Sequence, residues 1–79
     1  MNRTPFELLR IAKCFPQTRK KLIKNLESKE KPTIIIDSLY VFYCFEEQKI
    51  ILHYDIVHPK YVDYEIPFDV FYELLHSIK

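Results

Sequence analysis

With 79 residues, 48% of them hydrophobic and 29% charged, the chain has the balance of one small globular domain, 1–79, rather than of a disordered segment. Glycine is absent, which excludes the phosphate-cradling loops of nucleotide-binding proteins, since these need glycine where backbone approaches phosphate. The net charge of +1 conceals an asymmetry: residues 1–32 hold nine Lys/Arg against three Glu, and residues 33–79 hold three Lys against eight Asp/Glu, a polarity that points to a charged partner.

The first segment, 4–28, reads as helical. Thr4-Pro5-Phe6-Glu7 has the residue types of a capping box with proline in the first turn. Leu8, Ile11, Ala12, Phe15, Leu22 and Leu26 then recur on one stripe at helical spacing. Pro16 removes a helical hydrogen bond inside this segment, so the pattern predicts either one kinked helix or two short helices meeting at Phe15-Pro16. Opposite the stripe stand Arg10, Lys13, Lys20, Lys21 and Lys24, with no acidic residue among them. Such a basic face suits nucleic-acid phosphates, an anionic membrane surface or an acidic protein; its bland reading is a solvated lysine face. The stretch Ser28–Pro32 is too short to separate domains.

From Thr33 the residues become β-branched and aromatic, at 34–36, 39–45, 50–57 and 61–66, with turns expected at 46–49 and 58–60. Helical spacing returns over 67–79, where Phe68, Phe71, Leu74, Leu75 and Ile78 share a side. The expected order is α-β-β-β-α, with the first strand bent at Asp37-Ser38. This is a two-layer α+β fold in which a three-stranded antiparallel meander, 33–66, is covered on one face by helices.

Turn lengths set a register. The turn at 46–49 pairs Phe45 with Ile50, Tyr43 with Leu52, Val41 with Tyr54 and Leu39 with Ile56. The turn at 58–60 pairs Ile56 with Val62, Tyr54 with Tyr64 and Leu52 with Ile66. All eleven residues are apolar or tyrosine and point one way, whereas a one-residue slip scatters them over both faces. Leu52, Tyr54, Phe71 and Leu74 are accordingly expected in the core.

On the opposite face this register sets Tyr40, Asp55 and Asp63 in one row and Phe42, His53 and Glu65 in the next, flanked by Cys44 with Ile51 and by Val57 with Tyr61. Asp55 opposite Asp63 is unfavourable, because like charges facing each other across strands repel. The carboxylates and His53 have the residue types of a metal or acid–base site, but strand spacing alone does not make them converge. Tyr40, Phe42, Ile51 and Tyr61 beside three carboxylates form an apolar patch in acidic surroundings, which suits protein binding.

Enzymatic patterns are weaker. Ser28, Ser38 and Ser77 have no nucleophile-elbow context. Asp37 with Glu47-Gln48-Lys49 has the residue types of a metal-dependent nuclease, but its Glu and Lys fall in a turn away from Asp37. His53, His58 and His76 lack zinc spacing, and Cys14 and Cys44 read as buried thiols rather than as a disulfide or metal framework. No zinc-finger or aromatic RNA-binding signature accompanies the lysines, and the acidic half repels phosphate.

No apolar run reaches the roughly 20 residues of a membrane span, and the opening residues form no signal peptide. The expectation is a cytoplasmic, non-enzymatic protein-binding module, a regulator, inhibitor or adaptor, with no metal, cofactor or membrane partner. Tyr40 and Phe42 would supply affinity and the basic helix would steer. The alternative is nucleic-acid binding by that helix, and open sheet edges at 33–45 or 61–66 leave pairing across a homodimer or with a partner strand as further options.

Overall fold

The computed structural model describes residues 2–55 and 58–77. Two helices form in place of a kinked one: α1, Thr4–Cys14, and α2, Pro16–Ser28, part at Phe15, whose φ of −128° and ψ of 84° are not helical. A residue before proline is pushed out of the helical region, and the proline then opens the next helix without losing a hydrogen bond. Phe15 leaves the apolar stripe and stands 50% exposed. The capping box does not form. Thr4 Oγ1 donates instead to the Val62 carbonyl at 2.8 Å, and Glu7 pairs with Arg10 at 3.0 Å. Cys14, the last residue of α1, is exposed and Cys44 is half-buried, so neither is the buried thiol expected of it.

The sheet has four strands: β1, Thr33–Ile36; β2, Leu39–Cys44; β3, Lys49–Tyr54; and β4, Tyr64–Pro67, followed by helix α3, Phe68–Ser77. They are antiparallel in the order β1-β2-β3-β4. Where a bend was expected, Asp37 and Ser38 close a two-residue hairpin, with Asp37 at φ 53° and Ile36 paired to Leu39. The second turn occupies 45–48, one residue earlier than read, with Gln48 at φ 54°. Tyr43 therefore pairs with Ile50, Val41 with Leu52, and Leu39 with Tyr54. In β4, Ile66 pairs with Ile50 and Tyr64 with Leu52. Every expected pair that can be compared among the described residues is displaced by two residues. Side chains alternate with period two, so this even displacement keeps each residue on its expected face.

β4 also starts later than expected. The Asn2 side chain binds both backbone groups of Val62, donating to its carbonyl at 2.8 Å and accepting its N–H at 3.1 Å, while the Arg3 N–H donates to the Lys60 carbonyl at 2.6 Å. The N-terminal residues thus occupy hydrogen bonds that a longer β4 would have used. The expected partners Ile56 and Val57 lie outside the described residues. Val62 and Tyr64, which the expected register sets on the helix-covered face, are 55% and 42% exposed.

All three helices cover one face. Leu39, Val41, Tyr43, Ile50, Leu52 and Ile66 of the sheet pack with Leu8, Ile11, Ala12, Leu22, Phe71 and Leu75, while Tyr54 and Leu74 are half-buried against them. Tyr43 ties the layers together: its hydroxyl donates to the Leu22 carbonyl at 2.8 Å, and its ring stacks on Phe45 and meets Phe68 and Phe71 edge-on. Burial raises its phenol pKa well above the ordinary range, the Asn25 side chain opposing this. Asn25 is buried and clamps the chain leaving α2, donating to the Lys31 carbonyl at 2.8 Å and accepting the Lys31 N–H at 3.1 Å. No helix among the described residues is long and apolar enough to cross a membrane.

Candidate functional site

Because the helices share one side, the other face of the sheet has no covering layer among the described residues. Two cross-strand rows run over it. One joins Thr33 of β1, Phe42 of β2, Ile51 of β3 and Glu65 of β4; the other joins Ile35, Tyr40 and His53. Tyr40 lies 6.0 Å from the Phe42 ring and 5.7 Å, edge-on, from the His53 ring. Ile35 is the most exposed apolar residue of the patch, at 58%. The β-branched run Thr33–Ile36 shows no polar alternation, so its facing could not be read before its partner strand was known.

Charge confines this apolar strip to one side. His53 Nδ1 is 2.6 Å from Asp63 Oδ1, with the ring N–H donating because an ionised carboxylate only accepts. Lys49 lies between Glu47 at 2.7 Å and Glu65 at 3.2 Å. The hydrogen bond to Glu47, then that to Glu65, raises the pKa of the exposed Lys49 ammonium.

The two-residue displacement corrects the expected rows. Asp55 does not face Asp63: its backbone N–H donates to Ser38, and Asp63 meets His53 instead. Cys44 faces Lys49 rather than Ile51, and Tyr61 stacks on Tyr54 at 4.6 Å. Of the six candidates on this face, Tyr40, Phe42, His53 and Glu65 are brought into the two rows, Asp63 joins through His53, and Asp55 stands apart. Among the described residues, no group of three or more His, Cys, Asp or Glu side chains is placed to share a metal ion. Asp37 and Glu47 occupy turns at opposite ends of β2, roughly 20 Å apart at about 3.4 Å per residue.

The basic residues are divided by the break at Phe15. Arg10 and Lys13 belong to α1, and Lys20, Lys21 and Lys24 to α2. Arg10 is engaged by Glu7, whose hydrogen bond and charge raise its pKa. Lys20 and Lys24 border a shallow groove with Ile23, Glu27 and His76. Lys21 and Lys24 border a second recess with Lys31 and Ile34. These cations belong to the helical layer, opposite the Tyr40/Phe42 strip. The chain matches no family model, and no curated protein and no solved structure is similar to it.

Proposed function

We propose that this chain is a non-enzymatic protein-binding module whose working surface is the open face of the sheet, acting as a regulator, inhibitor or adaptor of another protein. The observation that supports this reading is the uncovered strip of Ile35, Tyr40, Phe42 and Ile51, bordered by Asp63, Glu65 and Glu47. Aromatic side chains on a rigid sheet supply large contact area at low entropic cost, and an apolar centre inside a charged rim is the anatomy of a specific interface. Charge complementarity then selects a partner with an apolar patch and basic margins.

Affinity capture from the native host, with and without nuclease, tests this reading. It requires one stoichiometric protein that survives nuclease and is lost from a folded Tyr40→Ala/Phe42→Ala variant. A second reading, nucleic-acid binding, rests on α2 and the residues after it, where six cations stand against two carboxylates over 16–31. If about four lysines meet phosphates, log affinity falls against log salt with a slope of roughly −3 to −4, and Lys20/Lys21/Lys24→Ala abolishes binding.

A further inference from the structure

β1 is an edge strand with only β2 as neighbour. The Tyr43 N–H donates to the Pro32 carbonyl at 2.7 Å, and antiparallel ladders alternate, so residues 32, 34 and 36 turn their backbone groups toward β2. Thr33 and Ile35 therefore turn their N–H and C=O groups outward, to the open edge. Natural edges are commonly guarded by charge, proline or a bulge. Thr33–Ile36 carries none of these within the strand, and Ile35 is its most exposed side chain.

Beside this edge, on the helical side of the sheet, is a recess of about 160 Å³ lined by Lys21, Lys24, Lys31, Glu30, Asn25, Ser28 and Ile34. Its volume is below the roughly 300–1,000 Å³ of cofactor pockets and suits a side chain. Lysines outnumber carboxylates three to one around it. An added strand would send alternate side chains to opposite faces: one set into this cationic recess, the other beside Ile35 and Tyr40.

We infer that the β1 edge accepts an extended segment of another protein, one with carboxylates at alternate positions and apolar residues between them. Thr33 and Ile35 would provide the main-chain hydrogen bonds, while Lys21, Lys24 and Lys31 select the acidic side chains. This is strand addition, in which backbone bonds give affinity and alternate pockets give specificity. A second copy of this chain fits the edge poorly, because symmetric pairing of β1 brings the two sets of lysines toward each other. The inference does not depend on the open sheet face being a binding surface.

The test uses the full chain, isotope-labelled, with a blocked peptide of alternating Glu and Val and a control in which Lys replaces Glu. The expected result is saturable binding of the Glu peptide, with amide shifts and slowed exchange centred on Thr33 and Ile35. Binding should be about tenfold or more weaker for the Lys peptide, and for Lys21→Glu/Lys24→Glu with the Glu peptide. Ile35→Pro removes an outward N–H at a position where an edge strand tolerates proline, and should weaken binding roughly five- to tenfold without loss of the sheet signals. Lys21→Glu/Lys24→Glu, confined to exposed positions, provides a folded comparison. Three results would overturn the inference: no saturable binding, equal binding of both peptides, or shifts confined to Tyr40 and Phe42. Protection of Thr33 and Ile35 in a dimer of the free protein would also overturn it, by assigning the edge to a second copy.

Discussion

Replacing Leu52 by alanine tests the packing of the helix-covered sheet face. Leu52 is fully buried on β3 between Val41 and Tyr64, beneath the helical layer. The substitution removes three carbons, about 2.4 kcal/mol of transfer free energy at ~0.8 kcal/mol per methylene. The cavity left behind raises the cost to roughly 2–5 kcal/mol. A domain of 79 residues has about 4–12 kcal/mol of stability in total, so this one change removes a large share of it. With a urea dependence near 1 kcal/mol per M, at the small-protein end, the midpoint should fall by roughly 2–5 M with an unchanged slope. The chain has no tryptophan, so far-UV circular dichroism and tyrosine fluorescence are the probes. Val62→Ala is the paired control: the expected register sets Val62 on the helix-covered face, but it is 55% exposed, and its truncation should cost no more than about 0.5 kcal/mol. Equal losses at the two sites, or a loss of only a few tenths at Leu52, would refute the packing described.

Four further outcomes follow from the same geometry. Asn25→Ala leaves both backbone groups of Lys31 without their partner and should cost roughly 1–3 kcal/mol in chemical denaturation. Because the folded-state pKa of Tyr43 is raised, its contribution to stability is intact below the unfolded value near 10 and is lost as pH rises beyond it. Tyr43→Phe should therefore flatten alkaline unfolding, at a cost of about 1 kcal/mol at neutral pH for the lost bond to Leu22. Asp55→Asn/Asp63→Asn/Glu65→Gln removes the exposed pairs with His53 and Lys49 but relieves no Asp–Asp contact, so stability should stay within about 1 kcal/mol; a larger gain would restore the discarded Asp55–Asp63 row. Lys29→Gly, at φ 55° after α2, should stabilise by a few tenths to about 1 kcal/mol in thermal melts, and a loss would mean that the Lys29 side chain contributes more than its left-handed backbone costs.

The parts of the fold legible in the sequence were those controlled by periodicity. The Leu8, Ile11, Ala12 and Leu22 stripe and the alternation from Leu39 to Leu52 found their faces, because burial depends on parity, and parity survived a two-residue displacement. What depends on turn chemistry is not legible in the same way. In a chain without glycine, left-handed positions fall to Lys29, Asp37 and Gln48, of which only aspartate is a residue type that favours such turns. The Asp37-Ser38 pair reads equally as a bend or a hairpin until its partner strand is known, and Gln48 gives no signal that ends the turn at 48 rather than 49. The same displacement decided the candidate site. Tyr40 and Phe42 follow from parity, whereas the Asp63–His53 contact needs the true register, and the outward set of Thr33 and Ile35 within the 33–45 edge needs the pairing of β1 with β2. The basic face holds together only on one continuous helical wheel, and the break at Phe15 divides it between two helices.

Site-specific photocrosslinking in the native host tests the central claim most directly. p-Benzoylphenylalanine replaces Phe42 on the open sheet face in one variant and Lys20 on the helical layer in another. The account predicts that the probe at position 42 joins one discrete protein in a nuclease-resistant adduct, and that the probe at position 20 yields little of it. Nucleic-acid adducts from position 20, with none to protein from position 42, would contradict it and move the function to the lysines of α2.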